Sequence, residues 1–254
     1  MNLPPNRFLA ALRAGTPQIG IWITLSTPFA AEVVAGAGFD WAMVDMEHSP
    51  NDLTSVMGQL QVFAAHQTTA MVRPDWNDPV LVKRLLDVGA QGLLFPMVQS
   101  PEEAASAVAA CHYPPHGIRG VSTSSRANQF GRVIDYFERV GQETAVLVQV
   151  ETRAAVAQAL QIGQTKGVDG VFYGPSDIAA DMGLLGQAMH PDVWDLILTS
   201  ARTLIANGVP VGTLVTDLAF ARSLLDQGFT FVACAVDSVI LSRGADAIVA
   251  TLKS

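Results

Sequence analysis

Residues 86–96 read LDVGAQGLLFP: a helix-like segment stops at a glycine, and a short apolar run follows within a few residues. The same order recurs in residues 35–45 (AGAGFDWAMVD), 166–174 (KGVDGVFYG) and 226–237 (DQGFTFVACAVD). Glycine suits the left-handed position that ends a helix, and an unbroken apolar run is typical of a strand buried on both faces. The pattern therefore predicts helices that alternate with the strands of a parallel sheet.

Eight apolar runs of this kind can be counted along the chain. They predict strands over residues 18–25, 41–45, 69–73, 92–98, 145–151, 170–174, 209–215 and 231–236. Segments with apolar residues three and four positions apart predict helices that include residues 52–66, 79–89, 101–111 and 217–228. Eight such units in 254 residues predict an α/β fold, a (β/α)8 TIM barrel that forms a single domain over residues 1–254. A doubly wound open sheet is the alternative.

The composition narrows the possible partners. Of the residues, 50% are hydrophobic and 15% are charged, and the formal net charge is -8. Such an acidic chain lacks the basic surface that binds nucleic acid or anionic membranes, and no apolar stretch has the length of a membrane span. Cys111 and Cys234 lie far apart without metal-binding spacing, and the first residues do not resemble a signal peptide. We therefore expect a cytoplasmic enzyme with no nucleic-acid or membrane partner.

Polar residues follow the ends of four predicted strands. In a barrel the active site lies at the carboxyl ends of the strands, so these residues are expected to meet on one rim. They are Asp45, Glu47 and His48 at the second strand, Arg73 at the third, Gln149 and Glu151 at the fifth, and Ser176 and Asp177 at the sixth. Carboxylates, one histidine and one arginine at these positions favour a catalytic rim over solvated turns.

Glu151 and Asp177 follow neighbouring predicted strands, where two carboxylates can share a hard cation such as Mg²⁺ or Mn²⁺. Two other roles remain open, because Asp177 can belong to the first turn of a helix and Glu151 can pair with Arg153. The helix start that contains Ser176 also offers backbone N–H groups to a substrate carboxylate.

Arg73 ends an apolar strand, where a guanidinium is costly to bury unless it meets an anion. That anion is either a substrate oxygen or a structural aspartate. His48 is expected to act as an acid/base group oriented by Asp45 or Asp87, and an ordinary surface histidine is the alternative.

The lysines argue against one mechanism. Lys83, Lys166 and Lys253 are the only lysines, and none of them ends a predicted strand. A Schiff-base lyase needs a lysine buried at the reacting centre, so that chemistry is disfavoured.

A long loop interrupts the alternation at residues 112–130, HYPPHGIRGVSTSSRANQF, before a further helical piece at residues 133–142. Loops of this length in a compact domain are usually functional or disordered. The loop carries Arg119 and Arg126, and we expect it to face the substrate; a mobile surface excursion is the alternative.

Several segments resemble, in the same order, the HpcH/HpaI class II aldolases. They include residues 37–52 (AGFDWAMVDMEHSPND), 72–98 (VRPDWNDPVLVKRLLDVGAQGLLFPMV), 147–153 (LVQVETR) and 167–183 (GVDGVFYGPSDIAADMG). The resemblance covers nearly the whole chain. One departure is Met46, which stands where the family usually has glycine.

The resemblance implies reversible cleavage of a 4-hydroxy-2-oxo acid to an aldehyde and pyruvate, or a related 2-oxo acid such as hydroxypyruvate, with Mg²⁺, Mn²⁺ or Co²⁺. It also implies a homo-hexamer whose neighbouring subunits help complete each site, and a C-terminal helix exchanged between subunits. The implied roles are metal ligation by Glu151 and Asp177, enolate stabilisation by Arg73, acid/base catalysis by His48 with Asp87 or Asp45, and binding of the pyruvate end by Gln149 and Ser176.

Two other functions are kept open. One is a CoA-ester lyase of the citrate-lyase β type, which would need a nucleotide-binding patch that the sequence does not reveal. The other is a non-catalytic barrel that binds 2-oxo acids.

Overall fold

The computed structural model describes residues 1–253, which contain one closed barrel of eight parallel strands. The strands are β1 (Gln18–Ile23), β2 (Trp41–Asp45), β3 (Thr69–Arg73), β4 (Gly92–Phe95), β5 (Ala145–Val150), β6 (Gly170–Tyr173), β7 (Val211–Leu214) and β8 (Phe231–Val236). Each strand pairs with the next in the chain, and β8 closes the barrel on β1. The predicted (β/α)8 barrel is confirmed, and the open sheet is excluded.

Helices precede, connect and follow the strands. They are α1 (Arg7–Arg13), α2 (Pro28–Ala35), α3 (Leu53–Phe63), α4 (Pro79–Asp87), α5 (Pro101–Cys111), α6 (Tyr136–Arg139), α7 (Arg153–Ala157), α8 (Ala159–Gly163), α9 (Pro175–Asp181), α10 (Pro191–Ala206), α11 (Leu218–Asp226) and α12 (Asp237–Lys253). Asp78, Ser100 and His190 each accept a backbone hydrogen bond from the first turn of the helix that follows them. A proline comes next in all three, where its missing N–H costs nothing.

The strands end close to their predicted positions. The bounds of β2, β3 and β8 agree with the sequence prediction, whereas β4 ends at Phe95 rather than at residue 98. Proline at position 96 has no N–H to continue the ladder, and Met97 adopts a φ of 52°, which turns the chain away from the strand direction.

Helix α1 closes the amino end of the barrel, and the sequence analysis did not identify this helix. Phe8, Leu9 and Leu12 of α1 pack in one buried cluster with side chains from the strand interiors, among them Trp41 and Phe231. The ring centroids of Phe8 and Phe231 lie 5.7 Å apart in an edge-to-face arrangement. Apolar side chains therefore fill the amino end of the barrel interior, and the polar groups lie at the opposite, carboxyl end.

The loop of residues 112–130 lies at the amino ends of the strands, so it does not face the substrate rim of its own chain as predicted. The Ala127 N–H donates to the carbonyl of Asp87 at 3.0 Å, and Arg126 Nη1 donates to the carbonyl of Val88 at 2.7 Å. Both carbonyls lie at the end of α4, which runs back from the rim because it connects two parallel strands. Of the helical piece predicted over residues 133–142, only α6 and a 3₁₀ turn (Val140–Gln142) form.

Helix α12 leaves the barrel with most of its side chains exposed. Leu241, Ile248 and Leu252 are 63%, 64% and 80% exposed, and their spacing places them on one face. No helix among residues 1–253 combines the length and the apolar character that crossing a membrane requires.

We predict that Gly20→Ala destabilises the barrel. A Cβ at this position in β1 would lie 2.2 Å from the fully buried Trp41 ring, so the ring or the strand would have to shift. The expected loss is about 1–3 kcal/mol of unfolding free energy, measured as a lower midpoint in urea. Gly36→Ala is the matched control, because a Cβ there would meet nothing within 4 Å. Equal midpoints for the two variants would contradict this packing argument.

Candidate active site

The rim is built around a buried ion pair between neighbouring strands. Asp45 at the end of β2 lies directly opposite Arg73 at the end of β3. Arg73 Nε and Nη2 donate to the two carboxylate oxygens of Asp45, each at 2.8 Å. Arg73 is 6% exposed and Asp45 is 1% exposed, so both residues are almost completely buried. Such a two-pronged contact fixes the plane of the guanidinium as well as its position.

Two further groups hold Arg73. Its Nη1 lies 2.7 Å from Glu47 Oε2, and its Cζ lies 5.2 Å from the centre of the Trp22 ring. Burial alone would lower the pKa of Arg73, but the hydrogen bonds and charge of Asp45, with the charge of Glu47, outweigh burial and raise that pKa. The guanidinium is therefore a fixed positive charge at the end of the barrel.

A polar network behind the rim positions the segment that carries Glu47 and His48. Asn51 Nδ2 donates to the carbonyl of Asp45 at 2.7 Å, and Gln59 Nε2 of α3 donates to Asn51 Oδ1 at 2.6 Å. Gln59 is fully buried. The sequence analysis missed both amides; a glutamine among the apolar positions of α3 was the available signal, because a buried amide needs partners.

His48 lies on the exposed side of the rim. Its side chain is 66% exposed, and its Nε2 lies 3.8 Å from Glu47 Oε2. Neither expected orienting aspartate contacts it in the same chain. Asp45 is engaged by Arg73, and Asp87 pairs at 2.7 Å with Arg119 at the far end of the barrel.

Glu151 follows β5 and is held by two donors. The Met97 N–H donates to Glu151 Oε2 at 2.7 Å, and Gln149 Nε2 donates to Glu151 Oε1. The left-handed backbone at Met97 aims this N–H at the carboxylate. Gly174 makes room for the pair, because a Cβ there would lie 2.7 Å from Glu151 Oε1.

The acids of the rim repel one another. Burial raises the pKa of Glu151 to about 7, and the charges of Asp177 and Glu47 act in the same direction against the Met97 N–H. Burial also raises the pKa of Glu47, where the charges of Asp45 and Asp177 oppose the effect of Arg73. The effects on Glu47 and Glu151 require that these two carboxylates lie close to Asp177 in one site.

Ser176 and Asp177 lie in the first turn of α9, and both are exposed. Pro175 begins this helix, and no side chain caps its first N–H groups. Glu151 makes no contact with Arg153, which instead pairs with Asp181 at 2.9 Å. The strand order thus brings Glu151, Gln149, Asp177 and Ser176 to one side of the rim.

This side of the rim suits a hard divalent cation. Glu151 is 2% exposed, and the buried Gln149 Oε1 has no hydrogen-bond partner. Carboxylate and amide oxygens are the ligands that Mg²⁺ and Mn²⁺ prefer. No cluster of three or more His, Cys, Asp or Glu side chains within the described residues could hold an ion alone. A cation held by two carboxylates would therefore take its remaining oxygens from water and substrate.

Comparison with known proteins gives a consistent result. The family model for HpcH/HpaI aldolase/citrate lyase matches residues 18–243. A 4-hydroxy-2-oxo-heptane-1,7-dioate aldolase of Salmonella dublin is 48% identical over 246 residues, which is 96% of this chain and 94% of the relative.

Two solved structures of HpcH/HpaI proteins are similar to this chain over nearly its whole length. A HpcH/HpaI aldolase/citrate lyase family protein from Burkholderia cenocepacia has a TM-score of 0.94 and 38% identity, with 98% of this chain and 100% of that chain covered. The HpcH/HpaI aldolase from Desulfitobacterium hafniense has a TM-score of 0.90 and 30% identity, with 96% of each chain covered.

We predict that Gly174→Ala weakens divalent-cation binding without unfolding the barrel. The new methyl group would displace the Glu151 carboxylate and Gln149, which lie 2.7 Å and 3.1 Å from the added Cβ. Disturbing groups that orient a ligand typically costs about ten- to a hundredfold in metal affinity, which Mn²⁺ titration measures. Gly244→Ala, where a Cβ would meet nothing within 4 Å, serves as the control. Unchanged Mn²⁺ affinity in Gly174→Ala would mean that Glu151 does not bind the ion.

Proposed function

Because the chain belongs to the HpcH/HpaI aldolase/citrate lyase family, we propose that it is a divalent-metal-dependent class II aldolase. The reaction is the reversible cleavage of a 4-hydroxy-2-oxo acid to an aldehyde and pyruvate, or a related 2-oxo acid such as hydroxypyruvate. The observation that carries the proposal is a fixed cation, Arg73, beside the acids Glu151 and Asp177 on one barrel rim. The Salmonella relative is named for the cleavage of 4-hydroxy-2-oxo-heptane-1,7-dioate, and that acid heads the substrates to be assayed.

Glu151 and Asp177 would hold the cation, which is Mg²⁺, Mn²⁺ or Co²⁺. A bound divalent ion supplies Lewis-acid stabilisation of negative charge on the oxygens of a 2-oxo acid. The three lysines lie in α4, after α8 and at the end of α12, and none of them is at the carboxyl end of a strand. A Schiff-base mechanism has no candidate nucleophile there.

Arg73 neutralises the negative charge that develops on the 2-oxo acid when the carbon–carbon bond breaks. Asp45 occupies its Nε and Nη2, and Glu47 lies at Nη1, so its orientation is set before substrate arrives. A charge fixed in advance requires no reorganisation during the reaction. Gln149 and Ser176 bind the pyruvate end beside Asp177.

His48 transfers the proton between the hydroxyl of the substrate and the solvent side of the rim. Its exposure lets it reach a substrate bound over the barrel, and a histidine is suited to acid/base work near neutral pH. Both carboxylate oxygens of Asp45 are held by Arg73, so this aspartate would act on His48 only through a rearrangement of the ion pair. Asp87 can act on His48 only from a neighbouring subunit, because the two lie at opposite ends of one barrel.

A metal-dependence assay tests the function. Pyruvate release from a panel of 4-hydroxy-2-oxo acids, including the heptanedioate, should stop on chelation and return with Mg²⁺, Mn²⁺ or Co²⁺. The same panel run with CoA esters tests the citrate-lyase β alternative. Cleavage that survives exhaustive chelation would reject the class II mechanism, and metal-dependent oxamate binding without turnover would favour the non-catalytic barrel.

We predict that His48→Gln lowers kcat by about 10²- to 10⁴-fold, the usual contribution of a general acid or base. Mn²⁺ affinity should stay unchanged, because His48 does not contact Glu151. His116→Gln, at an exposed position of the 112–130 loop, is the matched control and should retain full kcat. A kcat within twofold of wild type in His48→Gln would remove the histidine from the mechanism.

We also propose a homo-hexamer in which α12 is exchanged between neighbouring subunits. The support is the apolar face of α12, since a face that exposes Leu241, Ile248 and Leu252 normally packs against protein. The association of subunits would also allow Asp87 of one subunit to approach His48 of another.

We predict that Leu241→Ser combined with Ile248→Ser lowers the number of subunits in the oligomer. Burial of two large aliphatic side chains supplies several kcal/mol, and both would be lost in each subunit contact. Light scattering after size exclusion should give a smaller multiple of the 26.9 kDa chain. Arg243→Ser, on the same exposed helix, should leave the mass unchanged; a hexamer that persists in the double variant would contradict the exchange.

A further inference from the structure

Gln59 is a polar residue at a position of α3 where an apolar residue is expected. Val56 and Phe63 lie on the same face of α3 and belong to the main hydrophobic core, and Gln59 is itself fully buried. Its Nε2 donates to Asn51 Oδ1 at 2.6 Å and to the carbonyl of Ser55 at 3.1 Å, whereas its Oε1 has no hydrogen-bond partner. An unpaired buried amide oxygen lowers stability, so the fold alone gives no reason for a glutamine here.

The direction of two amides, those of Gln59 and Asn51, is set by their partners. Both atoms that face Gln59 Nε2 are acceptors, so a reversed amide would place oxygen against oxygen. Asn51 Oδ1 accepts from Gln59 and also, at 2.9 Å, from Ser55 Oγ. Asn51 Nδ2 is then the donor to the carbonyl of Asp45 at 2.7 Å and to Ser49 Oγ at 2.9 Å. The two amides therefore form a directed chain of hydrogen bonds from the core face of α3 to the end of β2.

This chain of hydrogen bonds closes the turn that carries His48. The turn leaves the rim after Asp45 and returns at Asn51, and the side chains of Asn51 and Ser49 both donate to the Asp45 carbonyl. Within residues 1–253, neither the His48 N–H nor the Ser49 N–H donates a hydrogen bond. The place of the exposed histidine in the turn therefore depends on these two side chains and on the Gln59 amide behind them.

We propose that Gln59 and Asn51 are positioning residues for His48, present for the reaction rather than for the stability of the fold. This inference rests on the proposed function, in which His48 transfers the proton. Without the amides the turn would take up other conformations, and a misplacement of about 1 Å can cost about 10²-fold in rate. Neither amide contacts the acids proposed to hold the cation, so binding of the cation and of the 2-oxo acid should not depend on them.

Gln59→Leu in the metal-loaded enzyme tests the proposal, because leucine has a similar volume and lacks the amide. We expect kcat for pyruvate release to fall by about tenfold to a hundredfold, with KM and Mn²⁺ affinity within twofold of wild type. The midpoint in urea should not fall, because the change removes an unpaired buried oxygen and Asn51 Oδ1 keeps its bond from Ser55 Oγ. Gln18→Leu is the matched control and should retain full kcat: Gln18 is 3% exposed, and its Nε2 donates to the carbonyl of Phe8 at the amino end of the barrel.

Three further measurements separate positioning from support of the fold. Added to His48→Gln, Gln59→Leu should cause no further loss of kcat, because the amide acts through that histidine. Ser49→Ala, at a partly buried position, should lower kcat by a smaller factor with an unchanged urea midpoint, and Ser49→Thr should retain kcat because it keeps the hydroxyl. Hydrogen–deuterium exchange needs no substrate: residues 46–49 should exchange faster in Gln59→Leu, and residues 145–151 should not change.

Several results would overturn the positioning role. They are an unchanged kcat in Gln59→Leu, a loss of kcat that adds to the loss in His48→Gln, and an equal loss of kcat in Gln18→Leu. A lower urea midpoint with an unchanged kcat would assign the amide to the fold alone and overturn it too. Failure of the proposed function looks different, because wild type itself would then release no pyruvate. In that case the exchange of residues 46–49 still decides whether the amides hold the turn.

Discussion

The ion pair between Asp45 and Arg73 is the contact on which the carboxyl end of the barrel depends. Two opposite charges with almost no access to solvent face each other across adjacent strands, in register, through a two-pronged hydrogen bond. Burying either charge alone would carry a large desolvation free energy, and removing one partner of such a pair typically lowers stability by about 3–5 kcal/mol. The pair therefore fixes how β2 and β3 end together, and it leaves Nη1 of the guanidinium to face Glu47.

The acids on the other side of the rim are arranged differently. Glu151 is buried without a cationic partner in contact, and two neutral donors, the Met97 N–H and the Gln149 amide, hold its oxygens. Burial and the neighbouring acids raise its pKa to about 7, so its charge is only weakly stabilised by the chain. A positive ion supplied from outside would remove this cost. The two halves of the rim thus differ: Arg73 is in contact with Asp45 and Glu47 on one side, whereas no cationic side chain contacts Glu151 on the other.

The sequence predicted the strands better than the site, for physical reasons. The ends of β2 and β3 were correct because a charged residue stops each apolar run, and Glu151 and Asp177 were brought together because parallel strands share one edge. Asp87 does not meet His48 within one chain, because α4 spans nine residues, about 13 Å of helix, and carries Asp87 back to the amino end. Three features depend on tertiary contacts that no local pattern encodes. They are the packing of α1 against the amino end of the barrel, the hydrogen bond from the Met97 N–H, and the unpaired Nε of Arg119.

The rim also extends to the exposed C-terminal helix through Asp237. This buried residue at the start of α12 accepts hydrogen bonds from the N–H and hydroxyl groups of Thr24, at 2.9 Å and 2.7 Å, and from the Leu25 N–H at 3.1 Å. Thr24 follows β1 directly, and Trp22, which packs against Arg73, lies two residues earlier. A carboxylate that accepts several backbone and hydroxyl hydrogen bonds holds its surroundings rigidly. Helix α12 therefore begins at the same end of the barrel as Arg73 and is tied there to the segment after β1, so in the proposed oligomer a contact made by α12 would act close to the site.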